Sequence, residues 1–209
     1  MTFSSREDAG QELGDHLLAR GIKVDLVLGL PRGGVVVAAE VARVLRRPLD
    51  VLIVRKIGHP RQREFALGAL AENDVVVLDR LAMRENRVIP SDVTEIIAEE
   101  TAHLRDYQAK FHPSGDNPLT GKTVLIVDDG LATGSSAEAA ARSAKKKMAG
   151  KVILATPVAS PSAVDRLSAV ADEVISLIID PGFFAVGQYY DSFPQTTDDE
   201  VLALLHIHV

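Results

Sequence analysis

Short runs of aliphatic and β-branched residues recur along this chain, most of them followed by a stretch of helical periodicity. Residues 25–30 (DLVLGL), 50–54 (DVLIV), 123–127 (TVLIV), 151–157 (KVILATP) and 173–179 (EVISLII) read as strands. Residues 33–45 read as a helix, with Val37, Ala38, Val41, Ala42 and Leu45 on one face. Helices are also expected over 91–111, opening at Ser91 or Asp92 after Pro90, over 135–149, over 160–169, and after Thr197-Asp198. Continuous apolar strands alternating with amphipathic helices specify a parallel sheet covered on both faces. The predicted fold class is therefore α/β, a mainly parallel five-stranded sheet with helices on both faces.

Two regions break the alternation. Residues 66–79 hold two apolar runs interrupted at Glu72-Asn73-Asp74, the pattern of an antiparallel hairpin or flap. Residues 112–121 (HPSGDNPLTG) are a loop by composition. With no repeat and no shift in composition, 1–209 reads as a single domain, with about 66–121 an insertion of flap and helix and about 180–209 a C-terminal cap.

Composition narrows the chemistry. The chain has no Cys, which removes disulfides, Cys-based zinc sites and thiol nucleophiles together. Lys plus Arg number 23 against 29 Asp plus Glu, a net charge of −6, so no nucleic-acid partner is expected. Trp is absent and aromatics make up 4%, so the core must be aliphatic. No apolar run approaches the roughly 20 residues of a membrane helix, and the start lacks a signal pattern. No membrane partner is expected, and a cytoplasmic location is.

The most informative stretch is VLIVDDGLATGSSAEAA, residues 124–140. It runs from a buried strand through two acids and a Gly- and hydroxyl-containing loop into an Ala-rich helix. Ligands of open α/β sheets bind beyond the carboxyl ends of strands, and a helix start offers unpaired N–H groups that suit phosphate. Asp128 and Asp129 would repel phosphate, so their natural partners are sugar hydroxyls or a divalent cation. Read from its residues alone, the stretch is also compatible with an ordinary helix cap or an acidic metal pocket. GLPRGG, residues 29–34, lies between a strand and a helix too; it is either a second phosphate cradle, with Arg32 a fork-shaped donor, or a tight turn.

Residues 124–136 resemble the phosphoribosyl pyrophosphate signature of type I phosphoribosyltransferases: four apolar residues, two acids, three variable residues, then Thr-Gly-x-Thr/Ser. Gly130 departs from it, since the family usually has an aliphatic residue there. The resemblance implies an antiparallel flap and a C-terminal hood around the sheet. It implies that Asp128 and Asp129 hold the ribose hydroxyls, and that Gly130, Leu131, Ala132, Thr133, Gly134, Ser135 and Ser136 wrap the 5′-phosphate. Arg32, Gly33 and Gly34 would take pyrophosphate, in a loop that often contains a cis peptide, here Pro31–Arg32. Mg²⁺ would accompany phosphoribosyl pyrophosphate, with no direct protein ligand or with Asp128 and Asp129 acting through ribose or water. The implied activity is transfer of 5-phosphoribosyl to a nitrogen of a base-like acceptor with release of pyrophosphate, as in nucleotide salvage. A non-catalytic sensor of the donor or of nucleotides on the same fold is the alternative.

Three further features bear on that activity. RKIGHPRQR, residues 55–63, concentrates positive charge after a strand; it reads as a mobile loop whose Arg55 and Lys56 cover the leaving group, or as a solvated loop or subunit contact. Residues 183–193 hold five of the chain's nine Phe and Tyr residues. Phe184, Val186 and Tyr189 are the base-binding candidates there, against a local core or a dimer contact, and a homodimer is left open. Ala132 stands where enzymes for 6-oxopurines usually carry Asp, which disfavours hypoxanthine and guanine as acceptors. GLPRGG, RKIG and AVGQYY together resemble a group of bacterial and archaeal phosphoribosyltransferase-like proteins over nearly the whole chain, a likeness that supplies no acceptor. His206-x-His208 offers two imidazoles with no third ligand indicated.

Overall fold

The computed structural model describes residues 2–112, 115 and 117–207. A helix α1 (Arg6–Ala19) opens the chain, capped by the Ser5 hydroxyl, which accepts from the Asp8 N–H. Strand β1 (Leu26–Gly29), helix α2 (Gly33–Leu45) and strand β2 (Leu49–Val51) follow. After an excursion, the core resumes with β6 (Thr123–Val127), α5 (Ser135–Lys146), β7 (Lys151–Ala159), α6 (Pro161–Ser168) and β8 (Glu173–Ile179). The five strands form one parallel sheet in the order β2-β1-β6-β7-β8.

Alternate residues of each strand feed two apolar clusters. Val27, Leu125, Ile153 and Ala155 join one with α1 and α2, while Leu26, Leu28, Val124, Ile126 and Leu154 join the other with α5 and α6. Both faces are thus covered, as the continuous apolar runs predict. β1 is the central turning point: the chain leaves it outward through α2 to β2, whereas from β6 it winds the opposite way through α5 to β7. The β1–α2 and β6–α5 loops consequently diverge to opposite faces and leave a crevice at the carboxyl ends of two adjacent strands.

The excursion between β2 and β6 contains a second, antiparallel sheet of β3 (Val54–His59), β4 (Gln62–Ala71) and β5 (Val75–Leu78). The β4–β5 hairpin turns at Glu72–Asp74, with Asn73 and Asp74 at φ of 62° and 54°, a conformation their short polar side chains tolerate. The loop reading of residues 55–63 is corrected: Arg55 to His59 and Gln62 onward pair as strands, and only Pro60 and Arg61 form the turn. The outer half of this hairpin, around the Pro60–Arg61 turn, faces solvent, so the sequence there carries no apolar alternation to reveal it, whereas Ile57 and Leu67 to Ala71 are buried. The expected strand over 50–54 is also split, because the chain leaves the parallel sheet after Val51 and enters β3 at Val54. A short helix α3 (Arg80–Glu85) and a 3₁₀ turn (Pro90–Val93) lead into α4 (Thr94–Phe111). Of the expected loop over 112–121, residues 113, 114 and 116 lie outside the described residues, as does His208.

After β8 comes an irregular cap with one 3₁₀ turn (Val186–Tyr189), then helix α7 (Asp198–Ile207), whose Val201 and Leu205 pack into the α1–α2 cluster. Among the described residues, no helix is long and apolar enough to cross a membrane.

Candidate active site

The β6–α5 loop is stitched to the next strand–helix unit. The Leu131 N–H donates to Val158 O at 2.9 Å, the Ser160 N–H to Leu131 O at 2.9 Å, and the Ser160 hydroxyl to Ala132 O at 2.6 Å. Gly134, at φ 74°, turns the chain into α5 in a conformation that favours glycine. The amides of 135–137 have no acceptor within the helix by its geometry, and they sit at its positive end. Ala132 and Thr133 are exposed, and the Thr133 and Ser135 hydroxyls lie 3.3 Å apart. Backbone donors, hydroxyls and helix dipole thus stand together at one helix start.

The β1–α2 loop lies alongside, its Leu30 N–H donating to Val127 O at 3.0 Å. The Pro31–Arg32 peptide is cis. Gly33 and Gly34 are glycines because the acid pair of the neighbouring loop passes over them. A Cβ on Gly34 would lie 2.7 Å from Asp128 Oδ1, and one on Gly33 would land on Asp129 Oδ2. The two loops therefore form one surface, with Asp128 and Asp129 between the two helix starts.

Asp129 has partners that sequence reading misses. Arg6 Nε donates to its Oδ2 at 2.8 Å, and the Tyr190 hydroxyl donates to its backbone O at 2.6 Å. Arg6 also donates through Nη1 to Pro194 O at 2.7 Å and lies over the Phe193 ring at 3.7 Å. No motif connects residue 6 to residue 129; the only available signal for Tyr190 and Phe193 is the aromatic cluster of residues 183–193. Asp128 Oδ1 accepts from the Asp129 N–H at 2.9 Å. Burial raises the pKa of both acids, Asp128 well above the ordinary carboxylate range because the Asp129 charge adds to it, and Arg6 opposes both shifts. Burial and the Asp129 charge likewise push the Tyr190 phenol upward, so it stays a donor.

A cleft of about 620 Å³ joins this surface to the flap, lined by Pro31, Ser136, Arg55, Lys56, Glu99 and Glu100 among others. The structure thus brings Arg55 and Lys56 to the same space as the two loops. Both are paired: Arg55 Nε lies 2.8 Å from Glu100 Oε2 and Lys56 Nζ 3.1 Å from Glu64 Oε2. Arg32 lies 3.6 Å from Asp198 at the start of α7, a carboxylate that also accepts from Lys110 Nζ at 2.7 Å.

The three hood candidates have different surroundings. Val186 lies on the acid loop, where a Cβ on Gly130 would come within 2.6 Å of its Cγ1; a Gly stands where an aliphatic residue is usual because the hood fills that space. Phe184 is 92% exposed. Tyr189 is buried, its ring 5.4 Å from that of Phe183 and its hydroxyl bonded to Asp180 at 2.7 Å, so it builds the hood's own small core. His206 Nδ1 lies 2.6 Å from Leu202 O, within its own helix. Among the described residues the one group with metal-ligand spacing is Glu99, Glu100 and His103, whose two glutamates pair with Arg63 and Arg55.

Residues 7–192 match the phosphoribosyl transferase domain family. A protein of Mycobacterium tuberculosis H37Rv, provisionally named a phosphoribosyl transferase, is 45% identical over 204 residues. The match takes in 97% of this chain and 46% of that protein, so the chain spans about half the length of the curated relatives it matches. A crystal structure from Thermus thermophilus superposes with a TM-score of 0.80 at 42% identity, covering 100% of this chain and 99% of that one. A Neisseria gonorrhoeae protein crystallised with ppGpp shares the fold, with a TM-score of 0.53 at 13% identity and coverage of 99% and 94%.

Proposed function

The chain belongs to the phosphoribosyl transferase domain family, and on that footing we propose that it transfers the 5-phosphoribosyl group of phosphoribosyl pyrophosphate to a ring nitrogen of a nucleobase-like acceptor. The C1–oxygen bond to pyrophosphate breaks and its electron pair leaves with pyrophosphate, the C1–nitrogen bond forms, and the acceptor nitrogen gives up its proton to the departing pyrophosphate or to water. The observation that carries this reading is the pairing of two glycine-containing helix starts at adjacent strand ends with two carboxylates between them. A ligand with a phosphate at each end and hydroxyls in the middle matches that order of charges.

Each part of the cleft has a role its chemistry supports. The α5 amides with the hydroxyls of Thr133, Ser135 and Ser136 suit the 5′-phosphate. Asp128 and Asp129, as acceptors, suit the ribose hydroxyls. Arg32 and the amides of Gly33 and Gly34 suit pyrophosphate, and Arg55 and Lys56 can leave their glutamates to cover it as it departs. The transition state gains positive charge on the ribose, so the work of the chain is holding both ends and excluding water rather than nucleophilic attack. The donor set also fits Mg²⁺ carried by the substrate: one oxygen of Asp129 is engaged by Arg6, so the acid pair is not a closed cage and would act on the ion through ribose or water. When bound, the ion would neutralise charge on the leaving pyrophosphate.

The test is pyrophosphate release from phosphoribosyl pyrophosphate and Mg²⁺ with and without a panel of nucleobases. Base-dependent release, with hypoxanthine and guanine poor acceptors, supports the proposal. Donor binding with no pyrophosphate release in the presence of any base would leave a sensor, or an acceptor outside the panel.

A further inference from the structure

Arg6 is a buried cation, 8% exposed, at the first position of α1, and the reading above leaves it without a task. Its guanidinium is fixed three ways: Nε to Asp129 Oδ2 at 2.8 Å, Nη1 to Pro194 O at 2.7 Å, and its plane over Phe193 at 3.7 Å. A planar fork held at two edges and one face has no rotameric freedom left. The same carboxylate is held from behind, since Tyr190 bonds the backbone oxygen of Asp129 and stacks at 5.0 Å on the Phe193 that supports Arg6. From the other side, Gly33 leaves no room for a side chain beneath the ion pair, because a Cβ there would also lie 2.7 Å from Arg6 Nε. Helix α1, the hood and the pyrophosphate-side loop therefore meet at one bond.

We propose that Arg6 is a positioning residue for the ribose: it pins Oδ2 of Asp129 so that the second oxygen, Oδ1, is presented to a ribose hydroxyl. The inference rests on the phosphoribosyl reading and deepens it. It makes the two acids unequal. Asp129 is oriented by a partner 123 positions away, whereas Asp128 is oriented by the amide of its own neighbour. It also gives the hood a second duty, since Pro194 and Phe193 act on the ribose through Arg6.

A purely structural Arg6 would weaken every ligand alike, whereas a positioning Arg6 acts on one hydroxyl. The experiment is equilibrium titration of the full chain with ribose 5-phosphate and its 2-deoxy and 3-deoxy analogues. The variants are Arg6→Ala, Arg6→Lys, Asp129→Asn and the double variant Arg6→Ala/Asp129→Asn. Wild type should prefer ribose 5-phosphate to the deoxy analogue that lacks the hydroxyl held by Asp129. Arg6→Ala should cut that preference about tenfold while changing affinity for that analogue by less than about twofold. Arg6→Lys, which keeps the charge but not the fork, should fall between. Arg6→Ala should add nothing to Asp129→Asn. Equal weakening of all three ligands, additive losses, or a wild type indifferent to both hydroxyls would overturn the assignment. If Arg6→Ala does not fold, Arg6→Lys carries the same comparison. A wild type that binds neither ribose 5-phosphate nor phosphoribosyl pyrophosphate would instead sink the phosphoribosyl reading, and this one with it.

Discussion

Replacing Gly33 by Ala probes the junction of the two loops. Gly33 is the first residue of α2 and does not sit in the left-handed region, so its backbone accepts Ala. By helix propensity alone the change would stabilise by up to about 1 kcal/mol, less at a first turn than in a helix interior. The added Cβ, however, would land on Asp129 Oδ2 and lie 2.7 Å from Arg6 Nε and 2.9 Å from its Nη2. An ordinary carbon–oxygen contact needs more than 3 Å, so the carboxylate must swing by about 1 Å, enough to break a 2.8 Å bond to Arg6. A hydrogen bond to a charged group contributes about 1.5–3 kcal/mol, which outweighs the helix gain. The net loss is about 1–2 kcal/mol, or roughly 2–8 °C in Tm for a chain of this size. Calorimetry gives the stability, and titration with phosphoribosyl pyrophosphate and Mg²⁺ should give at least a tenfold loss of affinity, about 1.4 kcal/mol. Gly182→Ala is the control, since a Cβ there meets only the Asp180 carboxyl at 3.2 Å or beyond. A Gly33→Ala protein as stable as wild type, with unchanged donor affinity, would refute the argument that the loops touch through the acid pair.

Other perturbations follow from the same geometry. Gly130→Ala should cost about 1–3 kcal/mol by overpacking against Val186, and Val186→Ala should restore most of it in the double variant, because the nearest remaining Val186 atom then lies at 3.2 Å; thermal melts of the three proteins decide it. Asp128 has a raised pKa, so between the ordinary aspartate value and the raised one the native state keeps a proton that the unfolded chain has released. Stability from this group is therefore lost as pH rises from the ordinary aspartate value through the raised native one. Asp128→Asn should accordingly be more stable than wild type at neutral pH by about 0.5–2 kcal/mol, with the gain vanishing below that window, as urea denaturation across pH would reveal; a variant equally or less stable at pH 7 would contradict the assignment. Glu100→Gln should free Arg55 and tighten binding of inorganic pyrophosphate about two- to fivefold, an effect that shrinks in high salt; calorimetric titration finding weaker binding would mean that Glu100 orients Arg55 instead of restraining it.

The parallel sheet was legible because its inner strands β1, β6 and β7 are buried on both faces and so read as continuous apolar runs, and the half-buried edge strand β8 keeps the same aliphatic character. Residues 33–45, 123–127 and 173–179 were read with the bounds that the structure has. The β3–β4 hairpin was not legible, since Lys56, Gln62, Arg63 and Glu64 face solvent and carry no period. Helix α1 was missed for a different reason. Its Gly10 and Gly14 depress helix propensity, yet each sits where a Cβ would come within 2.8–2.9 Å of α2, so the glycines serve close helix packing. The acid pair and both loops could be picked out because their chemistry is local in sequence. Arg6, Tyr190 and Phe193 could not, because what joins them to Asp129 is tertiary contact across most of the chain.

The most direct measurement is a crystal structure of the chain with phosphoribosyl pyrophosphate and Mg²⁺. The account predicts the 5′-phosphate on the amides at the start of α5, the ribose hydroxyls on Asp128 and Asp129, and pyrophosphate at Arg32, Gly33 and Gly34. A donor bound elsewhere, or bound with its pyrophosphate on the α5 loop and the acids facing no hydroxyl, would contradict it.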